Sequence, residues 1–168
     1  MTVRIKNLTA EVSDYLKDES RRIGTAEKIV FPSSVEEIQA AVAEAHKEGW
    51  SITMQGGGTG ITGGCVPNGG LVMNLSGMTR IQPIAHNRLT VEPGVTLLEV
   101  RDFLKKTDLF FPSDLTETAA TLGGMVSTNA SGARSFFYGS VRKWIDSMDV
   151  SSSSTASAQR SIRCSCRT

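Results

Sequence analysis

The chain has 168 residues, 18 Lys+Arg against 17 Asp+Glu, and a formal net charge of +1. That length suits one domain with a proper core, and a charge so near zero makes no electrostatic case for nucleic acid or an anionic membrane surface. No apolar run approaches the roughly 18 residues of a membrane-spanning helix, and the opening MTVRIKNLTAEVSDYLKDES turns polar and acidic too soon for a secretory signal, so the expectation is a soluble, cytoplasmic protein.

The first expected element is a helix from about Thr9 to Arg22, with Val12, Tyr15, Leu16 and Ile23 at helical spacing and Gly24 as its stop. Lys28 to Phe31 reads as a strand. Ser34 and Glu37 form a capping box for a second helix with the apolar stripe Val35, Ile38, Val42 and Ala45, closed by Gly49. Ser51 to Met54 follows as a strand, which makes a compact βαβ unit with parallel strands. Gly70 to Asn74 is a third strand. Ile81 to Ile84 and Leu89 to Glu92 read as two strands joined at His86-Asn87.

Thr96 and Glu99 make another capping box, with Val95 and Val100 placed as a hydrophobic staple, for a helix ending near Lys106. A last helical segment is expected in Ala120 to Asn129, and Trp144 to Val150 as a strand. Residues 151–168, SSSSTASAQRSIRCSCRT, hold seven serines, no aromatic and no acid. That composition predicts a disordered tail.

Nine of the sixteen glycines fall between Gly49 and Gly70. The segment Met54-Gln-Gly-Gly-Gly-Thr-Gly-Ile-Thr-Gly-Gly64 directly follows a strand. Glycine permits positive φ and close approach of a ligand to the main chain, and successive amides in such turns converge on an anion. The chemistry this suits is phosphate or pyrophosphate, with Thr59 and Thr62 as added donors. A flexible linker is the plainer alternative, weakened by the ordered elements on either side. A Walker loop fails because no lysine lies between Lys47 and Arg80. Gly58-Thr-Gly-Ile-Thr-Gly63 matches G-x-G-x-x-G, but Gly64-Cys-Val-Pro-Asn-Gly-Gly70 cannot open the helix that a dinucleotide fingerprint requires.

Further loop-type cradles follow at Val91-Glu-Pro-Gly-Val-Thr96, Thr121-Leu-Gly-Gly124, Asn129-Ala-Ser-Gly132 and Tyr138-Gly139. Each alone is an ordinary turn; their order along the chain suggests one long ligand touched at several places.

These residues resemble the FAD-binding domain of the vanillyl-alcohol oxidase and p-cresol methylhydroxylase superfamily. The branch is the one that holds D-lactate dehydrogenase, D-2-hydroxyglutarate dehydrogenase and a subunit of glycolate oxidase. The resemblance rests on Phe31-Pro-Ser-Ser-Val-Glu-Glu37, the loop from Gln55 to Gly64, Pro93-Gly-Val95, Thr118 to Asn129 and Tyr138-Gly-Ser140. It implies an α+β, two-subdomain FAD-binding fold of the p-cresol methylhydroxylase type with the second subdomain incomplete. The implied division is an N-terminal helical lead-in at 1–24, the FAD-binding domain at 25–150, and a Ser-rich tail at 151–168, for which an out-of-frame origin is left open.

The resemblance also implies noncovalent FAD. Gly56, Gly57, Gly58, Thr59 and Gly60 would take its pyrophosphate, with Gln55, Thr62, Gly63 and Gly64 alongside. Pro93, Gly94 and Val95 would approach the flavin, as would Pro112, Ser113 and Asp114. Gly123, Gly124, Thr128 and Asn129 would form a second wall. Thr59 and Gly60 stand where some relatives carry a flavin-linking histidine. The implied activity is oxidation of a small 2-hydroxy acid such as glycolate or D-lactate by hydride transfer to flavin, with an electron-acceptor subunit as a possible partner.

No catalytic residue and no metal site is assigned within the chain; the base would lie outside it. The other readings left open are a non-catalytic FAD-binding or assembly module and an inactive truncated fragment. His46 is read as a helix-end residue, where a cation suits the dipole, His86 as a hairpin-turn residue with no acidic partner in sight, and Cys65 as a small, partly buried turn residue.

Overall fold

The computed structural model describes residues 4–8, 10–150 and 162–167. The chain divides after Gly77 into two compact units.

The first unit is built on four strands, β1 (Lys6–Asn7), β2 (Lys28–Val30), β3 (Ile52–Gln55) and β4 (Leu71–Asn74), in the order β1-β2-β4-β3. Both β2 and β3 run parallel to β4, with Ile29 opposite Val72 and Met54 opposite Met73. The expected βαβ unit is present, with helix α1 (Val35–Glu48) as its crossover, but β4 lies between its two strands. All four residues of β4 are buried, as a central parallel strand requires.

Ser34 caps α1, its hydroxyl accepting from the Glu37 N–H at 3.3 Å. The Glu37 carboxylate bonds Ser33, accepting from its N–H at 2.7 Å and its hydroxyl at 2.9 Å. The reciprocal half of the capping box is thus displaced by one residue. Gly49 closes the helix at φ 69°, a left-handed conformation in which a Cβ is strained. Ile38, Ala41 and Ala45 are the buried face, while Val35 and Val42 are half-buried.

The helix expected over Thr9–Arg22 is instead a 3-10 helix, Ala10–Leu16; Thr9 and the side chain of Val12 lie outside the described residues. The chain then doubles back, Gly24 N–H donating to Leu16 O at 2.7 Å. Ile23 consequently ends 80% exposed rather than on a buried stripe.

The second unit has three antiparallel strands, β5 (Arg88–Val91), β6 (Ile145–Met148) and β7 (Ile162–Ser165), in the order β5-β7-β6. Its helices are α2 (Leu97–Leu104), α3 (Leu122–Ser127) and the single turn α4 (Ser135–Tyr138). The turn before β5 has His86 and Asn87 both at positive φ, with Ala85 and Arg88 exchanging two hydrogen bonds, the arrangement of a two-residue hairpin. Pro83 denies a ladder donor, and the strand expected at Ile81–Ile84 reduces to isolated bridges at Ile81 and Ala85. The capping box of α2 is complete: Thr96 accepts from the Glu99 N–H, and the Glu99 carboxylate from the Thr96 N–H. Val95 and Val100 share one core with Leu89, Leu122, Met125 and Ile162.

The expectation of a disordered tail is corrected for residues 162–167; residues 151–161 lie outside the described residues. Ile162–Ser165 is the central strand of the second sheet, with Ile162 paired to Val91 and Met148. Ile162, Cys164 and Cys166 are buried while Arg163 is exposed. Composition hid this period-two pattern, and a strand between two partners needs only one apolar face.

Candidate functional site

The glycine loop leaves the C-terminal end of β3. Gln55, the last residue of that strand, is buried, and its amide Nε2 donates to Tyr15 O at 2.8 Å and to Cys65 O at 2.7 Å. The first bond ties the loop to the N-terminal 3-10 segment; the second closes the loop across its base. Asn74, at the end of β4, donates from Nδ2 to Gly56 O at 3.3 Å, and Glu19 N–H donates to Gly58 O at 3.3 Å. A trans peptide sets the following N–H opposite to its carbonyl. Holding the Gly56 and Gly58 carbonyls against the protein therefore turns the amides of Gly57 and Thr59 the other way.

Among the described residues, no backbone N–H from Gly56 to Gly64 has a protein hydrogen-bond partner. A run of unpaired amides on a strand-to-loop exit is a donor set suited to an anion. Gly58 sits at φ +70° and has open space where a Cβ would be, so glycine there answers to backbone conformation and not to crowding. A cleft of about 240 Å³ lies here, lined by Asp14, Tyr15, Lys17, Gln55, Gly56, Gly57, Gly58 and Asn74. Thr59, Gly60, Thr62, Gly63 and Gly64 continue the loop, with Thr62 and Gly64 exposed.

Cys65 ends the loop as a thiol. Burial pushes its pKa up to about 11, and the Asp18 carboxylate adds to the rise; the thiol donates to Asp18 Oδ2 at 3.6 Å. Burial works to raise Asp18 as well, but the bonds it accepts from Ser20 and Cys65 prevail and hold it below the ordinary carboxylate value. Cys65 is therefore a poor nucleophile at neutral pH.

In the second unit the structure brings Pro93–Val95 against the start of α3. Gly123 N–H donates to Pro93 O at 2.9 Å and Leu122 N–H to Val95 O at 2.7 Å. A Cβ on Gly123 would lie 2.9 Å from Pro93 Cβ and 3.0 Å from its carbonyl oxygen. Gly94 N–H donates to Met78 O and Val95 N–H to Glu92 O. The amides of Gly94, Val95 and Gly123 are thus spent within the protein. Gly124 and Thr128 are exposed, and Thr128 Oγ1 donates to Gly124 O at 2.9 Å.

Asn129 Oδ1 accepts from the Ser140 hydroxyl and the Arg142 N–H, which fixes the turn after α3. Asp114 is held by Arg101 Nη2 and, at 3.0 Å, by Arg134 Nε, so its carboxylate braces the turn that carries Pro112 and Ser113. Ser113 Oγ is buried with no hydrogen-bond partner among the described residues.

Sequence reasoning missed Asp14, Tyr15, Lys17 and Asn74. Asn74 had a signal, a polar residue closing the otherwise apolar run Leu71-Val-Met-Asn74. The other three had none, because only the doubled-back lead-in places them at the loop. Among the described residues no cluster of His, Cys, Asp or Glu forms a metal site, and no helix is long and apolar enough to cross a membrane.

Residues 26–155 match the family model described as FAD binding domain. The chain is 37% identical over 124 residues to a D-lactate dehydrogenase of Archaeoglobus fulgidus, covering 73% of this chain and 28% of that protein. It is 34% identical over 155 residues to a D-2-hydroxyglutarate dehydrogenase of Xanthomonas citri pv. viticola, covering 88% of this chain and 32% of that protein. The solved 6-hydroxy-D-nicotine oxidase of Arthrobacter nicotinovorans shares the fold at a TM-score of 0.85 and 16% identity, over 99% of this chain and 42% of that one. The chain thus spans about a third or less of the length of these two curated relatives.

Proposed function

The chain belongs to the FAD binding domain family, and on that premise we propose that its glycine loop holds the diphosphate of a noncovalently bound FAD in an oxidoreductase acting on a small 2-hydroxy acid. The observation that carries this reading is the run of unpaired amides from Gly56 to Gly64 beside the cleft. They supply neutral donors, already fixed in place, to an anion that the loop's own carbonyls are turned away from. Gly56, Gly57, Gly58, Thr59 and Gly60 bind through the main chain, with Thr62, Gly63 and Gly64 extending the cradle. Gln55 serves by holding the loop's base, since its amide is committed to two carbonyls.

In the second unit, Gly124 and Thr128 offer exposed surface for the cofactor, while Gly123 and Asn129 shape it from behind. Pro93, Gly94 and Val95 pack under Gly123. Pro112, Ser113 and Asp114 form the turn that would approach the flavin, and the ion pairs of Asp114 with Arg101 and Arg134 hold that turn in place. The donor chemistry fits the group: neutral amides for diphosphate, and at Cys65 a thiol held protonated, in keeping with a flavin that is not covalently attached.

FAD when bound supplies the redox chemistry, accepting a hydride equivalent from the substrate's α-carbon. This chain's residues bind and orient; none is assigned to proton transfer. The 2-hydroxy acid is proposed from the relatives named for D-lactate and D-2-hydroxyglutarate. An electron-acceptor subunit and a cytoplasmic location belong to the same proposal.

The test is flavin retention and reduction. The full chain is purified, titrated with FAD, and challenged anaerobically with glycolate, D-lactate and D-2-hydroxyglutarate. Saturable binding of FAD, released on denaturation in acid, supports the noncovalent reading. Flavin that stays with the precipitated protein overturns it. Bound flavin that none of the three acids reduces favours the non-catalytic module for this chain.

A further inference from the structure

We propose that Lys17, carried by the N-terminal segment, is a cofactor-binding residue whose ammonium exchanges Asp14 for a phosphate oxygen of the diphosphate at Gly56–Gly58. This rests on the preceding reading and goes beyond it, since the FAD contacts expected from the sequence all lie at or beyond Gln55.

Three observations lead here. First, Lys17 is the one cation among the described residues lining the cleft. The amides of the loop are dipoles without net charge, so a diphosphate seated on them alone would keep its charge uncompensated. Second, the backbone on either side of Lys17 is fastened to the glycine loop. Gln55 Nε2 holds Tyr15 O at 2.8 Å, and Glu19 N–H holds Gly58 O at 3.3 Å. Lys17 lies between these anchors, and the Tyr15 ring is further set by an edge contact with Phe31 at 5.1 Å between centroids. A long side chain on a pinned backbone samples a small volume around the loop.

Third, Lys17 Nζ is already engaged with an anion of the same cleft, Asp14 Oδ1 at 2.7 Å, with the two side chains 56% and 82% exposed. An ion pair this exposed is weak, so a diphosphate that accepts from the loop amides as well as from the ammonium can displace the carboxylate. Asp14 then returns to water at the cleft's lip. The pair keeps the ammonium at the site before the cofactor arrives, and Asp14 opposes binding by the like charge that it presents.

The experiment is titration of the full chain with FAD, followed by flavin fluorescence at low and at physiological salt, with far-UV circular dichroism on every variant. Lys17→Ala is expected to weaken FAD binding roughly fivefold at low salt, with the difference shrinking as salt screens it. Lys17→Arg should restore affinity, and Asp14→Asn should tighten binding about twofold, the scale of an exposed like-charge contact. Equal FAD affinity for Lys17→Ala and the unmodified chain overturns the proposal and leaves the FAD-binding reading standing. Weaker binding by Asp14→Asn overturns the exchange. Absence of FAD binding by the unmodified chain overturns both.

Discussion

The side-chain amide of Gln55 donates to the carbonyl oxygen of Cys65 at 2.7 Å, joining the residue that enters the glycine loop to the residue that leaves it. The same nitrogen reaches Tyr15 O. One buried side chain therefore closes a loop that leaves its own amides free and anchors the segment that lines the cleft.

Replacement of that amide tests the closure. Gln55→Leu retains volume but leaves the Tyr15 and Cys65 carbonyls without their donor. A buried polar group deprived of its partner costs about 1–3 kcal/mol, so the urea midpoint should fall accordingly. FAD affinity should fall further than the stability loss predicts, because the loop amides lose their fixed arrangement. Stability measured by urea unfolding and affinity by flavin fluorescence separate the two effects. Unchanged FAD binding with reduced stability would show that the loop holds its form without Gln55.

The glycines make a second test, since the structure assigns them different reasons. Gly58→Ala meets no neighbour but takes a positive φ, a cost of roughly 1–2 kcal/mol. Gly132→Ala would bring a Cβ to within 1.9 Å of the Asp114 carbonyl oxygen, which the backbone can relieve only by moving. The expected order of destabilisation is Gly132→Ala above Gly123→Ala above Gly58→Ala, read from thermal unfolding of the three variants. The order of FAD affinity should differ, with Gly58→Ala losing the most binding although it is the least destabilised of the three.

Cys65 gives the pH-dependent prediction. Its folded pKa of about 11 exceeds the ordinary thiol value of 9.0, so the folded state keeps the proton that the unfolded state releases first. That contribution to stability is fully present below pH 9 and declines as the pH rises toward 11. Alkylation of Cys65 by iodoacetamide, located by peptide mass, should be slow at pH 8 and accelerate about tenfold per pH unit up to pH 11, following the thiolate fraction. Asp18→Asn removes the neighbouring negative charge and should speed the reaction at pH 8. A rate that levels off near pH 9 would refute the raised pKa.

Much of the first unit was legible because its signals are local. Ser34, Gly49 and the apolar residues of α1 act within a few residues of one another, and the capped start at Thr96 does likewise. The glycine loop could be read as an anion cradle because so many glycines directly after a strand constrain the backbone regardless of what surrounds them. The lead-in was misread for the opposite reason: Tyr15 and Leu16 suggest a helix, yet the bond from Gly24 to Leu16 folds the segment back on itself. The strand β7 was missed because one of its two ladders comes from β5, far away in sequence, and the Ser-rich composition hid its alternation.

Sequence by itself determined the family and the glycine loop, since these depend on residue type and close spacing. Tertiary structure decided which groups remain available to a ligand. Hydrogen bonds and an ion pair made between separate elements commit Gln55, Asn129 and Asp114 to the protein's own scaffold, and among the described residues the loop amides keep no protein partner. It also decided that Asp14, Tyr15 and Lys17 line the cleft, because a chain reversal brings them there. No local pattern records a contact made across 40 residues.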